Sequence, residues 1–316
     1  MKSIRGFFDK QGFVEVDTPT LVRSPDPSQY HEVFEATSLT GEKLYLIPSP
    51  EYYLKRLISE GMRNIYQITK CYRDSKEKDP LHRREFTMLE WYRDNADYTD
   101  LMADCEKLFE YLFCNVILKT PSEESNARSF ASLRMTKIPW PRISCEEAFA
   151  KYANVKLDNF TDISHASNIC NQKGYNTKSA TWEQLYHQIF LNEVEPELVK
   201  IPGVFLYDYP AQLAELSKTK KDNPKYAERF EWYLNGLEIG NGYSELTDWQ
   251  EQEKRLQEEV NAREMRGMKT FDYDHGLVAA LRKGLPKTAG IAVGIDRLTM
   301  ALTGEKDIVN VSPYNL

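Results

Sequence analysis

The chain opens on a helical pattern: Ile4, Phe7 and Phe8 recur at helical spacing and Gly12 stops the run. Phe13 to Val16 then reads as a strand ended by Pro19. Lys43 to Ile47 alternates apolar and polar residues, the period-two mark of a half-buried strand. Ser49-Pro50 is a helix start, with Ser as the cap and Pro in the first turn, and Gly61 ends that helix after about Glu60. Ile65 to Tyr72 and Glu85 to Arg93 read as strands on either side of a charged loop, 74–84; a helix follows from about Asp100 to Val116. Residues 118–200 differ: Ser- and Asn-rich turns accompany two capping boxes, Ser144-x-x-Glu147 and Thr181-x-x-Gln184. This stretch is read as a mostly helical insertion within one domain that spans 1–316.

Strand character resumes at Val204 to Tyr207. From Ala227 to Leu246 two strand-like runs flank Asn235-Gly236, the favoured pair for a two-residue hairpin turn. A helix is predicted from about Asp248 to Arg266, ended by Gly267, and Gly290-Ile-Ala-Val-Gly294 is a Gly-bounded strand entering a helix at Asp296-Arg297. Strands paired by hairpins, with helices beside them, predict an α+β fold on an antiparallel sheet.

Composition narrows the function. The 41 Lys and Arg against 48 Asp and Glu give a net charge of −7, which argues against bulk binding of nucleic-acid phosphate and against a stable nucleic-acid partner. No apolar run approaches the ~20 residues needed to span a bilayer. The basic start Met1-Lys2-Ser3-Ile4-Arg5 is followed by an apolar stretch broken at Asp9 and Lys10, so no signal peptide and no membrane role are expected. Five scattered Cys, with no Cys-x-x-Cys, point to a reduced cytoplasmic protein without a zinc site.

Alternation along Glu85 to Arg93 puts Phe86, Met88, Glu90 and Tyr92 on one face. A Glu among aromatic residues is costly to bury unless paired, so Glu90 either faces solvent on an edge strand or takes a cation. With Asn235-Gly236 as the turn, Tyr233 faces Glu238 and Glu231 faces Gly240. Glu231 and Glu238 are then diagonal neighbours, their backbones ~7–8 Å apart. Two such carboxylates are either solvated or share a hard divalent ion such as Mg²⁺ with phosphate oxygens. Glu245 is expected on the Glu238 side, making three carboxylates on one face. Arg73 ends a strand before the charged loop, and Arg297 opens a helix behind the Gly-rich strand. Each suits a surface ion pair or a phosphate or carboxylate oxygen. No Ser-His-Asp, Cys-His, Walker-type or GxGxxG arrangement is present.

These residues coincide with the signature motifs of the class II aminoacyl-tRNA synthetases. Gly12-Phe-Val-Glu-Val-Asp-Thr-Pro19 resembles motif 1, Tyr72-Arg73 through His82-x-x-Glu85-Phe86-Thr87 resembles motif 2, and Gly290-x-x-x-Gly294-Ile-Asp-Arg297 resembles motif 3. Pro50-Glu51-Tyr-Tyr-Leu-Lys-Arg56, Met88-Leu-Glu90-Trp-Tyr92 and Glu238-x-x-Asn241-Gly-Tyr-Ser-Glu245-Leu resemble the lysyl branch. Within that branch the wording is similar to the stand-alone ligases that join (R)-β-lysine to elongation factor P; Ala292, where lysyl-tRNA synthetases usually have Gly, is part of that likeness. In motif 2, His82-Arg-Arg-Glu85 departs from the usual His-Asn-Pro-Glu, and the run from Arg73 to His82 is about one residue long.

The resemblance implies a class II catalytic fold, ATP and Mg²⁺, a homodimer through motif 1, and no anticodon-binding domain. It implies that Arg73 holds the α-phosphate and the substrate carboxylate, that Phe86 stacks on adenine, and that Arg297 lies near the γ-phosphate. His82 and an acid of the loop, Glu77 or Asp74, would also meet ATP. Glu231 and Glu238 would hold Mg²⁺ and ATP. Glu51 and Glu90 would take the amino group nearer the carboxylate, and Tyr92 and Glu245 the terminal ammonium of lysine or (R)-β-lysine. Asn241 and Tyr243 would line the pocket, whose preference for (R)-β-lysine the Ala292 methyl would set. The competing readings are a truncated lysyl-tRNA synthetase that charges tRNA, an amide-forming paralogue with another amine acceptor, and a non-catalytic regulatory subunit. Retention of both Arg73 and Arg297 counts against the last.

Overall fold

One strand, Glu85–Asp94, divides the molecule in two. Leu89 and Trp91 are fully buried in a core with Phe8, Tyr66, Leu101, Phe205, Trp232 and Val293. The alternate residues Phe86, Met88, Glu90 and Tyr92 line a cleft on the other side. The computed structural model describes residues 1–74, 79–115, 140–160 and 162–312.

Along the chain the strands are β1 (Val14–Glu15), β2 (Leu21–Val22), β3 (Glu35–Thr37), β4 (Lys43–Leu46), β5 (Ile65–Tyr72), β6 (Glu85–Asp94), β7 (Arg142–Ser144), β8 (Gly203–Pro210), β9 (Tyr226–Leu234), β10 (Leu237–Ser244) and β11 (Thr288–Gly294). The α-helices are α1 (Lys2–Lys10), α2 (Glu51–Ser59), α3 (Tyr98–Asn115), α4 (Cys145–Ala148), α5 (Ile163–Gln172), α6 (Trp182–Ile189), α7 (Glu195–Leu198), α8 (Trp249–Met265), α9 (His275–Lys283) and α10 (Ile295–Thr303). Eight strands form one sheet in the order β1-β5-β6-β11-β10-β9-β8-β7. Its pairs are antiparallel except β1 with β5 and β7 with β8. This is the predicted α+β class, with α1 and α3 covering the core face. On the cleft side α2, α8 and α9 pack over one end, and the helices of 145–198 build their own core against β8. Among the described residues no helix is long and apolar enough to cross a membrane.

Local chemistry follows the sequence closely at the turns. Both predicted capping boxes close, at Ser144 and at Thr181. Asn235 and Gly236 take φ of 49° and 81°, the left-handed pair that a tight hairpin needs. Three readings are corrected. The stretch 118–200 is not wholly an insertion beside the sheet: β7 is its edge strand, parallel to β8, while 116–139 lie outside the described residues. The short strands β2 and β3 and the helix α9 were not anticipated.

The third correction sets the site. Tyr233 does face Glu238, but a bulge between Glu238 and Gly240 shifts the register, so Glu231 faces Asn241 and not Gly240. Glu238 and Glu245 are seven residues apart, an odd interval that a regular strand would split between its faces. The extra residue of the bulge sends Ile239 into the core and leaves Glu238 on the cleft side with Asn241 and Tyr243. Glu245 also points that way, because its Oε1 lies 2.5 Å from where a Cβ on Gly290 would project, beside the Tyr92 ring.

That contact makes Gly290 obligatory. A methyl there would stand 2.4 Å from the Tyr92 ring, in packing that has no room to yield. Gly290→Ala is therefore expected to lower stability by about 1–3 kcal/mol; a urea midpoint unchanged from wild type would show that the crowding is relieved by other means.

Candidate active site

The cleft encloses ≈ 2070 Å³ and has two chemically distinct ends. At one end, carboxylates from three elements converge. Glu51 comes from the first turn of α2, Glu90 from the middle of β6 and Glu245 from just beyond β10. Ser49 ties the first two together: its hydroxyl accepts the Glu51 N–H at 3.1 Å and donates to Glu90 Oε2 at 2.8 Å. The Tyr92 hydroxyl donates to Glu90 Oε1 at 2.7 Å, and the Tyr243 hydroxyl to Glu51 Oε1 at 2.7 Å. Ala292 sits in register between Glu90 on β6 and Asn241 on β10, so its methyl stands at the centre of this wall.

The sequence reading missed Lys55. It is 1 % exposed, and its Nζ lies 2.5 Å from Glu51 Oε1 and 2.6 Å from Glu245 Oε2. Its spacing from Glu51, four residues along one helix, was the available signal. Two carboxylates outweigh the burial of the lysine and hold it charged, while burial raises the Glu245 carboxyl to about 8 even against the pull of Lys55. Among the described residues no cation touches Glu90. Burial, then the Glu51 charge, pushes its carboxyl up to about 8.

The other end is built for anions beside a flat ring. The Arg73 guanidinium carbon lies 5.4 Å from the Phe86 ring centroid. Arg297, in the first turn of α10, donates to the Glu238 carbonyl at 3.0 Å and to the Leu81 carbonyl at 3.3 Å, and lies 3.5 Å from Glu238 Oε2. It also contacts His82 Nε2, while Asp79 Oδ2 meets His82 Nδ1 at 2.7 Å. A proton on Nδ1 satisfies both contacts. Thus Arg297 and His82 together tie the 79–82 segment to the cleft.

Glu231 is already compensated. Arg229, two residues away on the same strand face, donates to its Oε1 at 3.0 Å, and the Tyr233 hydroxyl to its Oε2 at 2.7 Å. Arg229 also binds the Asn241 side chain at 3.1 Å and lies 3.2 Å from Glu215. Glu238 is less well served: burial, then the Glu231 charge, pushes it up to about 7 despite Arg297, Arg229 and Arg73. No cluster of three or more His, Cys, Asp or Glu fit to hold a metal occurs among the described residues. Two carboxylates do fit an Mg²⁺ whose remaining ligands are phosphate oxygens and waters.

The structure thus brings together Glu51, Glu90, Tyr92, Asn241, Tyr243 and Ala292 at one end, and Arg73, His82, Phe86, Glu238 and Arg297 at the other. Glu231 lines the cleft against Arg229, and Glu245 is buried behind it against Lys55. Glu77 lies outside the described residues, while Asp74 pairs with Arg84 at 3.2 Å.

A cleft on a mostly antiparallel sheet, with Arg73 against the Phe86 ring and Arg297 at the same end, is the arrangement of a class II synthetase. The sequence matches the family of class II tRNA synthetases (D, K and N) across residues 1–316, and the chain belongs to that family. It is 34 % identical, over 99 % of its length and 92 % of the relative's, to the elongation factor P–(R)-β-lysine ligase of Yersinia enterocolitica. The ligase of the same name from Hamiltonella defensa gives the same figures. A lysine–tRNA ligase of Chloroflexus aurantiacus is 32 % identical over 98 % of this chain and 62 % of the relative.

Glu90 sets a stability test. Its carboxyl sits near 8 in the fold against an ordinary 4.5. Its contribution is intact below pH 4.5 and is lost as pH rises through 8, because the buried group must then ionise. Glu90→Gln keeps the shape and one acceptor oxygen, turns the other position into an NH2 donor that a rotated Ser49 or Tyr92 hydroxyl can accept, and removes the charge. The variant should melt several degrees above wild type at pH 9, with the gap closing towards pH 5; equal melting at pH 9 would show that Glu90 is not a burdened charge.

Proposed function

We propose that this chain is an ATP-dependent ligase that activates (R)-β-lysine, or lysine, as an aminoacyl-adenylate and transfers it to a lysine ε-amine of elongation factor P. The observation that carries this reading is the pairing of ends in one cleft: Glu51 and Glu90 beside Ala292 at one, and Arg73, Phe86 and Arg297 at the other. A guest with two ammonium groups meets carboxylates at one end, which turns its own carboxylate towards the arginines at the other.

In the first step a carboxylate oxygen of the amino acid bonds to the α-phosphorus of ATP, and the bond to pyrophosphate breaks. No protein nucleophile takes part. Arg73 neutralises the charge that gathers at the α-phosphate, Phe86 offers a face to adenine, and Arg297 faces the departing phosphates. Mg²⁺ held by Glu231 and Glu238 would supply further neutralisation of the phosphates. In the second step the acceptor amine bonds to the activated carbonyl carbon, AMP leaves, and an amide results.

Charge bears on the acceptor. Glu183, Glu215, Glu258 and Glu259 also line the cleft. Carboxylates there favour an approaching lysine over the phosphate chain of a tRNA end, in line with the overall charge of −7. A homodimer through residues 12–19 and a cytoplasmic setting belong to the same proposal. β1 lies at the sheet edge with Val14 half exposed, which supports the dimer part.

With ATP and Mg²⁺, (R)-β-lysine should drive pyrophosphate exchange better than lysine, and Ala292→Gly should return part of that preference to lysine. Arg73→Ala should lower turnover by about 10²–10³-fold. Mass spectrometry should find one added lysyl or β-lysyl group on elongation factor P, with no aminoacylated tRNA in parallel reactions. Equal or absent exchange with both amino acids would reject the substrate, and charging of tRNA alone would replace this function with synthetase activity.

A further inference from the structure

Lys55 has no part in the chemistry described above, yet it lies at the centre of the amino-acid end. Its side chain is 1 % exposed and that of Glu245 is 0 % exposed. Its ammonium bridges Glu51 at 2.5 Å and Glu245 at 2.6 Å and sits 5.5 Å from the Tyr243 ring centroid. Both the Lys55 and the Tyr243 contacts with Glu51 fall on Oε1, while the Glu51 side chain, 15 % exposed, still reaches the cleft. Glu245 by contrast does not line the cleft. Apart from the Lys55 ion pair, its buried oxygens have no hydrogen-bond partner among the described residues.

We propose that Lys55 is a resident ammonium that sets both the charge and the geometry of the amino-acid pocket. Three carboxylates, Glu51, Glu90 and Glu245, form the pocket wall and the layer behind it, and one lysine offsets one of them. That leaves two cleft carboxylates, Glu51 and Glu90, to face a guest that brings two ammonium groups. Lys55 also fixes Glu51 through one oxygen, so that the other can meet the guest. It is a positioning and specificity-determining residue, and it acts through Glu51 and Glu245. The inference deepens the proposed amino-acid specificity and rests on it.

Removing the lysine alone leaves a buried carboxylate unpaired, the costly half of a broken ion pair. Lys55→Met retains an unbranched apolar side chain and should raise KM for lysine or (R)-β-lysine about tenfold or more, with KM for ATP unchanged within about threefold. The double variant Lys55→Met/Glu245→Gln restores two charges, from Glu51 and Glu90. It should recover most of the lost amino-acid affinity, in pyrophosphate exchange and in calorimetric titration with the amino acid. Melting curves on each variant separate folding from binding: a structural role alone would lower the melting temperature and leave both KM values in place. Unchanged amino-acid KM in the single variant, or a double variant no better than the single, overturns the inference while leaving the proposed function standing. A wild-type protein that binds neither amino acid overturns both.

Discussion

Negative charge buried on one face of a sheet is the constraint around which this molecule is arranged. Carboxylates in a low-dielectric wall must be paired, hydrogen-bonded or protonated. The chain answers most of them internally: Lys55 serves Glu51 and Glu245, and Arg229 serves Glu231 and Glu215. Two are left short. Glu90, pushed up to about 8, lies at the amino-acid end, and Glu238, pushed up to about 7, lies at the nucleotide end. Each end therefore keeps one carboxylate whose full ionisation awaits a cation from outside. An ammonium suits the first and a phosphate-bound divalent ion the second. The two ends of the proposed reaction thus share one electrostatic design.

The backbone makes that arrangement accurate. Glu90, Ala292, Asn241 and Glu231 stand in register across four adjacent strands, β6, β11, β10 and β9. Neighbouring strands lie ≈ 4.7–4.9 Å apart, so this row spans the cleft wall at fixed intervals. A single methyl on Ala292, between an acid and an amide, is well placed to change which amino acid fits. The bulge at Glu238 is what places Glu231 opposite Asn241 and keeps Glu238 on the cleft side. It is a site-forming irregularity, as bulges beside active sites commonly are.

Much of this was legible from residue patterns. Period-two alternation placed Glu90 with Phe86, Met88 and Tyr92, and Asn235-Gly236 located the hairpin. Those signals are local, and local physics decides them. The bulge left no such trace, because a glycine at 240 is as compatible with a regular strand as with an irregular one; the packing of Ile239 into the core decides between them. β2, β3 and β7 are two or three residues long, too short for any periodicity to register. The internal cations were the larger omission. Arg229 is two residues from Glu231 and Lys55 four from Glu51, spacings that a strand face and a helix face bring together.

The same accounting explains why a protein would keep a carboxyl as poorly housed as Glu90. With no cation beside it, this carboxyl holds its proton near neutral pH, so the fold escapes most of the penalty of a naked buried charge. A guest ammonium reverses the balance: it favours the ionised form, and the proton leaves as the ion pair forms. The group that weakens the fold at high pH is then the one that strengthens the grip on a cationic guest. A neutral amino acid of the same length brings one ammonium where lysine brings two, so it offsets only part of the buried negative charge at this end. Discrimination against such guests thus follows from the count of buried charges, before any contact specific to the shape of the side chain is considered.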